Sequence, residues 1–460
     1  MKLRRIAAGL LLAASALVTG VTATAPAVSA STGWADTVSA NAGHGLVVRT
    51  DKGLVEGVSA EGTDQWLGVP YAAPPVGALR WAAPQPAQPW TGVRQATSFG
   101  GRCAQLPSGN GPRVDNENCL YLNVFTPPGR SDRGLPVLVM IHGGGLTTGA
   151  GDQHDGSLIV TTDNIIVVSI NYRLGPFGFL DVPGLGTTPS TANGDFGLLD
   201  QEAALRWVQR NIGAFGGDPA KVTIAGESAG GWSDCALLAS PQARGLFRGV
   251  IMESGSCASQ SPATAQAASL AFAKAAGCTD AATAVACLRA LPEATLLSAS
   301  ASYQPEFTYG GPELPVADAS AVASGNYNRV PVLMGTNHNE GRTFSQGLTG
   351  LTESQADAVI QSEFGSQTAG ILARYPWSSY PAPYTAAYMI GDIWTDSGFL
   401  TGIGGCPTQN LASKFASTTR TYFYQFDDLH APGLNNDHPG YQWGAGHAME
   451  LAYLWPSFNN

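Results

Sequence analysis

The run Val222-Thr223-Ile224-Ala225-Gly226-Glu227-Ser228-Ala229-Gly230-Gly231 constrains the fold more than any other segment. A β-branched apolar stretch leads into Gly-x-Ser-x-Gly and a helix-compatible stretch follows, so the segment reads as strand, sharp turn, helix. A serine on such a turn sits in a strained backbone, and its flanks must be nearly free of side chain. Gly226 and Gly230 supply that room. Ser228 then projects its hydroxyl from the edge of a sheet, as a nucleophile elbow does.

Alone, this motif is common by chance in a chain with 57 glycines. Some eighty residues earlier, however, Pro136-Val137-Leu138-Val139-Met140-Ile141 reads as a buried strand running into His142-Gly143-Gly144-Gly145. Attack on an ester carbonyl creates a tetrahedral oxyanion, and main-chain N–H groups must already point at the place where that charge appears. A glycine loop lets the backbone approach, so the two motifs support each other.

Around this pair the chain alternates apolar strands and helices, the pattern of an α/β fold with a mostly parallel central sheet. Strands are predicted at Leu46–Val48 and Leu54–Glu56, flanking a turn at Thr50–Gly53, and at Tyr121–Phe125, Ile165–Ile170, Gly249–Met252, Val330–Met334 and Thr421–Phe426. Gly197–Ile212 is helical by period, with Ala204, Trp207, Val208 and Ile212 on one face. An alanine-rich helix runs from the Ser261 cap and Pro262 to a stop at Gly277, as part of an insertion over the sheet.

Residues 1–30 carry Lys2, Arg4 and Arg5, an apolar run from Ile6 to Val18 and a small-residue end at Val28-Ser29-Ala30, which predicts a secretory signal cleaved after Ala30. The apolar run is short for a membrane span, so no stable membrane anchor is expected. Arg4-Arg5 leaves twin-arginine export open. Residues 31–460 read as one catalytic domain. A net charge of −10 argues against a nucleic-acid partner. Oligomeric state stays open.

Seven cysteines in an exported chain are disulfide candidates, with one left over. Cys103 with Cys119 and Cys278 with Cys287 form two close pairs. Cys235 is expected to be a buried apolar filler rather than a bridge partner; a Cys257 to Cys406 bridge is open but unsupported.

The chain resembles the type-B carboxylesterase family, which includes cholinesterases and some fungal lipases. The likeness rests on Gly53-Leu54-Val55-Glu56-Gly57, Leu67-Gly68-Val69-Pro70-Tyr71-Ala72, Glu117-Asn118-Cys119-Leu120-Tyr121-Leu122-Asn123-Val124, Asn171-Tyr172-Arg173-Leu174-Gly175, Phe215-Gly216-Gly217-Asp218-Pro219 and both glycine motifs. It implies an α/β-hydrolase fold with a Ser-Glu-His triad, no cofactor and no metal. Gly335-Thr336-Asn337-His338-Asn339-Glu340-Gly341 is similar to the family's acid loop and Gly444-Ala445-Gly446-His447-Ala448-Met449-Glu450-Leu451 to its histidine loop. The catalytic expectation is therefore Ser228, Glu340 and His447, with Gly144, Gly145 and Ala229 as oxyanion donors. Asp396 stays open as the acid. His338 is expected at the surface and His142 as a structural hydrogen-bonding residue. Glu227, beside the nucleophile, is expected to point away as a buried, paired carboxylate. His44, His154, His430 and His438 show no metal spacing.

The segment between Cys103 and Cys119 has no aromatic residue, unlike the choline-binding members of the family, and lacks the longer apolar lid of its lipases. Leu146 stands where the family usually has an aromatic, which predicts a reshaped acyl pocket. The expected function is a secreted serine carboxylesterase for small, soluble short- or medium-chain esters. A lipase or amidase with the same triad, or a non-catalytic binding protein on the same fold, are the alternatives. Thirteen residues follow His447, fewer than in the family, which predicts exposed apolar surface, a loosely held histidine loop and reduced stability.

Overall fold

The computed structural model describes residues 46–130, 133–185, 194–398, 402–435, 437–456 and 458; the signal expected at 1–30 lies outside them. Nine strands form the central sheet: β1 (Val58–Ala60), β2 (Thr63–Pro70), β3 (Tyr121–Thr126), β4 (Leu135–Ile141), β5 (Ile166–Ile170), β6 (Gly217–Glu227), β7 (Gly249–Glu253), β8 (Val332–Asn337) and β9 (Thr421–Phe426). Their spatial order is β9-β8-β7-β6-β4-β5-β3-β2-β1. Neighbours from β9 to β5 pair in parallel, and β3, β2 and β1 continue antiparallel.

Parallel strands need crossovers, and helices supply them on both faces. The crossover before β6 is α1 (Phe196–Asn211). Its apolar face is the one periodicity marks: Ala204, Trp207 and Val208 are buried with Ile212 against Ile166, Val222 and Ile224. After the elbow, α2 (Ala229–Ala239) is buried along its whole length, in keeping with its lack of charge beyond Asp234. On the opposite face Phe125, Met140, Val167 and Ala225 pack with Leu451 and Trp455. The alanine-rich helix α3 (Pro262–Ala275) starts where Ser261 Oγ accepts from Thr264 N at 3.2 Å, and belongs to a separate cluster outside the sheet. Among the described residues, no helix is long and apolar enough to cross a membrane.

The strand expected at Val330–Met334 begins two residues later and continues to Asn337, because Pro331 cannot donate to a ladder. A strand at Val93–Gln95, paired in parallel with Leu54–Glu56, has no counterpart in the periodicity: all three residues are exposed, so no alternation marks it.

Bridges join Cys103 to Cys119 and Cys278 to Cys287. A third joins Cys235 to Cys257, and this corrects the reading of Cys235 as a filler. The reason is topological. Since β6 and β7 are neighbours, the helix after β6 runs beside the loop after β7, bringing the two Cα atoms to 5.4 Å. With Cys257 engaged, the Cys257 to Cys406 pairing does not occur, and Cys406 is an exposed thiol.

Candidate active site

Four segments meet at the carboxyl ends of β4, β6, β7 and β8, the edge where open parallel sheets present their ligands. Ser228 leaves β6 at φ 56°, ψ −119°, a left-handed conformation that ordinary residues avoid. Close packing demands glycine on both flanks of that turn. A Cβ on Gly230 would lie 2.1 Å from the Ile141 carbonyl oxygen, and one on Gly226 would lie 2.3 Å from the Gly230 carbonyl carbon. The turn is then tied on both sides, since Ser228 N donates to the Glu253 carbonyl and Trp232 N to that of Ser228, both at 3.0 Å.

The glycine loop leaves β4 directly alongside. A Cβ on Gly143 would come within 3.1 Å of Ser228 Cβ, and Gly144, Gly145 and Leu146 follow with φ of 102°, 64° and 60°. His142 is buried, stacks on Tyr172 and places Nδ1 2.9 Å from the Gly143 carbonyl. Burial lowers its pKa to about 4, so at neutral pH the ring is uncharged and Nδ1 carries the donated proton. Leu146 is fully enclosed in the main core.

Glu340 and His447, 107 residues apart, meet through Nδ1 and Oε2 at 2.6 Å, both buried. The other oxygen of Glu340 accepts from Ser254 Oγ at 2.6 Å, Thr336 Oγ1 at 2.8 Å and Asn337 N at 2.7 Å. Burial alone would push this carboxyl up; the adjacent imidazole and these hydrogen bonds outweigh burial and hold it below the usual glutamate range. Ser254, directly after β7, and Thr336, near the end of β8, hold the Glu340 carboxylate, and the sequence reading missed them because hydroxyl residues at strand ends are too frequent to carry a signal. Asp396 is exposed and bonded to Tyr375. His338 is exposed and bonded to Asp427.

The histidine loop is held firmly, contrary to the expectation of a loose one. Asn337 Nδ2 donates to the Gly446 carbonyl at 2.7 Å, Thr343 Oγ1 to that of His447 at 3.1 Å and Asn339 N to that of Ala445 at 2.8 Å. Phe344 covers the imidazole, ring centroids 4.7 Å apart. Leu333, Tyr422, Phe423, Tyr453 and Leu454 are exposed.

Glu227 does not point away. Its Oε1 lies 3.1 Å from His447 Nε2, without hydrogen-bond alignment; it ends β6 beside β7, which ends at Glu253, and β8, next beyond β7, leads into Glu340. Among the described residues, no hydrogen bond joins the Ser228 hydroxyl to the imidazole. Burial, then repulsion from Glu340 and Glu253, raises the Glu227 carboxyl well above its ordinary value, and burial pushes Glu253 up to about 7. An acid whose folded pKa exceeds its unfolded value stabilises the fold fully below the unfolded pKa, and that contribution is lost as pH rises through the folded one. Thermal midpoints are therefore expected to fall between pH 5.5 and pH 8.5, and Glu253→Gln to flatten the fall; an unchanged slope in the variant would contradict this.

Residues 44–459 match the carboxylesterase family. Over 430 residues, covering 89% of this chain and 82% of the relative, the sequence is 41% identical to a para-nitrobenzyl esterase of Bacillus subtilis (strain 168). Over 439 residues it is 34% identical to a cocaine esterase of Homo sapiens, covering 88% and 75% of the two chains. A solved PNB esterase superposes with a TM-score of 0.71 at 34% identity, over 88% of this chain and 84% of that one.

Proposed function

The chain belongs to the carboxylesterase family, and from that membership we propose that Ser228, Glu340 and His447 form the triad of this α/β-hydrolase. Hydrolysis of carboxylic esters is the activity of its relatives by name and of this enzyme. The observation that carries the residue assignment is the buried 2.6 Å contact between His447 Nδ1 and Glu340 Oε2.

That contact fixes the tautomer. With the Nδ1 proton directed at the carboxylate, Nε2 keeps its lone pair and serves as the base. Ser228 Oγ attacks the ester carbonyl as its proton passes to Nε2. The resulting oxyanion takes the N–H groups of Gly144, Gly145 and Ala229, and collapse expels the alcohol with the proton from Nε2. Water repeats the sequence on the acyl-enzyme. In the resting arrangement Nε2 faces Glu227, the residue beside the nucleophile; catalytic hydrogen bonds commonly tighten only once substrate is bound.

We place the mature enzyme outside the cytoplasm, supported by the basic and apolar leader at 1–30 and by three disulfides. For the substrate, the segment between Cys103 and Cys119 supports small soluble esters: it is polar and pinned to the body by Arg102, which bonds Asp152 at 2.7 Å and the Asn110 carbonyl at 2.9 Å. A segment so held is poorly suited to swing as a lid. p-Nitrophenyl acetate and butyrate in solution are expected to turn over at least about tenfold faster than emulsified long-chain triglyceride, with no jump in rate at the oil surface. Strong interfacial activation would favour a lipase instead.

A further inference from the structure

In a trans peptide the C=O and the following N–H point in opposite directions, so a group that grips the carbonyl of one residue aims the N–H of the next. Each peptide that carries a proposed oxyanion donor is gripped in this way. The Gly143 carbonyl, behind Gly144 N–H, accepts from His142 Nδ1 at 2.9 Å. The Ser228 carbonyl, behind Ala229 N–H, accepts from Trp232 N at 3.0 Å. The Gly144 carbonyl, behind Gly145 N–H, accepts from Thr147 N and Thr148 N at 3.1 Å, from Thr147 Oγ1 at 3.1 Å and from Thr148 Oγ1 at 3.2 Å.

The last peptide has most need of its grip. It lies between two glycines with φ of 102° and 64°, where no side chain limits rotation. Thr148 is itself oriented from behind: Asn110 Nδ2 donates to its Oγ1 at 2.9 Å, and because a hydroxyl has one proton, that proton is left for the Gly144 carbonyl. Asn110 belongs to the segment closed by the Cys103–Cys119 bridge. Gln105, from the same segment, pairs with both the N–H and the carbonyl of Gly149, at 3.0 and 3.1 Å.

We propose that Thr148 is a positioning residue for the oxyanion, oriented by Asn110, and that the disulfide-closed segment at 103–119 thereby sets the direction of the Gly145 N–H. The role rests on the oxyanion assignment made above and extends it to a hydroxyl that acts through the Gly144 carbonyl.

The test is Thr148→Val, which keeps shape and removes the hydroxyl. For p-nitrophenyl acetate, kcat is expected to fall about tenfold or more, short of the hundred- to thousandfold loss typical of deleting a donor, with KM within about twofold. Affinity for an alkyl trifluoromethyl ketone, which adds to the serine as a tetrahedral oxyanion, should fall by the same factor. Thr148→Ser should restore both, and Asn110→Ala should lower both by about threefold or more. If Thr148→Val fails to fold, Asn110→Ala decides on the same two readouts. Wild-type kcat and ketone affinity in the folded variant would overturn the proposal. If the wild-type enzyme itself did not bind the ketone, the oxyanion assignment would fall with it.

Discussion

Replacing Ser228 with alanine is expected to lower kcat for p-nitrophenyl acetate by a factor on the order of 10⁵ to 10⁶, as removing the nucleophile of a serine hydrolase does. The fold should survive. The turn at Ser228 is held by main-chain bonds to the Glu253 carbonyl and from Trp232 N, which alanine keeps, and alanine at φ 56° bears the same strain as serine. Residual catalysis of about 10³ over water should remain from the oxyanion donors. Circular dichroism and thermal melting of the variant, run beside the kinetics, check that the loss is chemical. A variant that melts like wild type and still turns over ester within tenfold of it would remove Ser228 from the mechanism.

Glu340→Gln is expected to cost about 10⁴ in kcat, because the amide imposes the wrong imidazole tautomer. Oε1 of Glu340 accepts from Ser254, Thr336 and Asn337 N, so the amide oxygen must occupy that position. The amide nitrogen then faces His447 Nδ1, now 2.6 Å from a carboxylate oxygen, and Nδ1 has to accept. The ring proton moves to Nε2, and the base is lost. Ser254→Ala removes one of three donors and should cost far less, within about tenfold. A Glu340→Gln variant that folds and keeps more than a tenth of wild-type kcat would contradict the acid assignment; high activity in Asp396→Asn is expected, since Asp396 is exposed and bonded to Tyr375.

What could be read in the chain and what could not divide along one physical line. The elbow was legible because its determinants are local: Gly226, Gly230 and the strand before them are demanded by contacts within a few residues or with the adjacent strand. The buried face of α1 was legible for the same reason, through its period. Glu340 and His447 stand 107 residues apart, and only resemblance to a family joined them. Cys235 was misread because its partner is determined by which strand lies beside β6, a fact of topology rather than of spacing. Glu227 was misread because the strained turn lets a strand-end side chain share a pocket with the imidazole. Ser254, Thr336 and Thr148 left no signal, since a hydroxyl takes on a role only through the group it meets.

The most direct test of the central claim is a fluorophosphonate reaction with the wild-type enzyme followed by mass mapping of the adduct. A phosphonyl group on Ser228 alone, formed rapidly in wild type and not in His447→Ala, is the predicted result. Labelling at another serine, or equal labelling without His447, would contradict it.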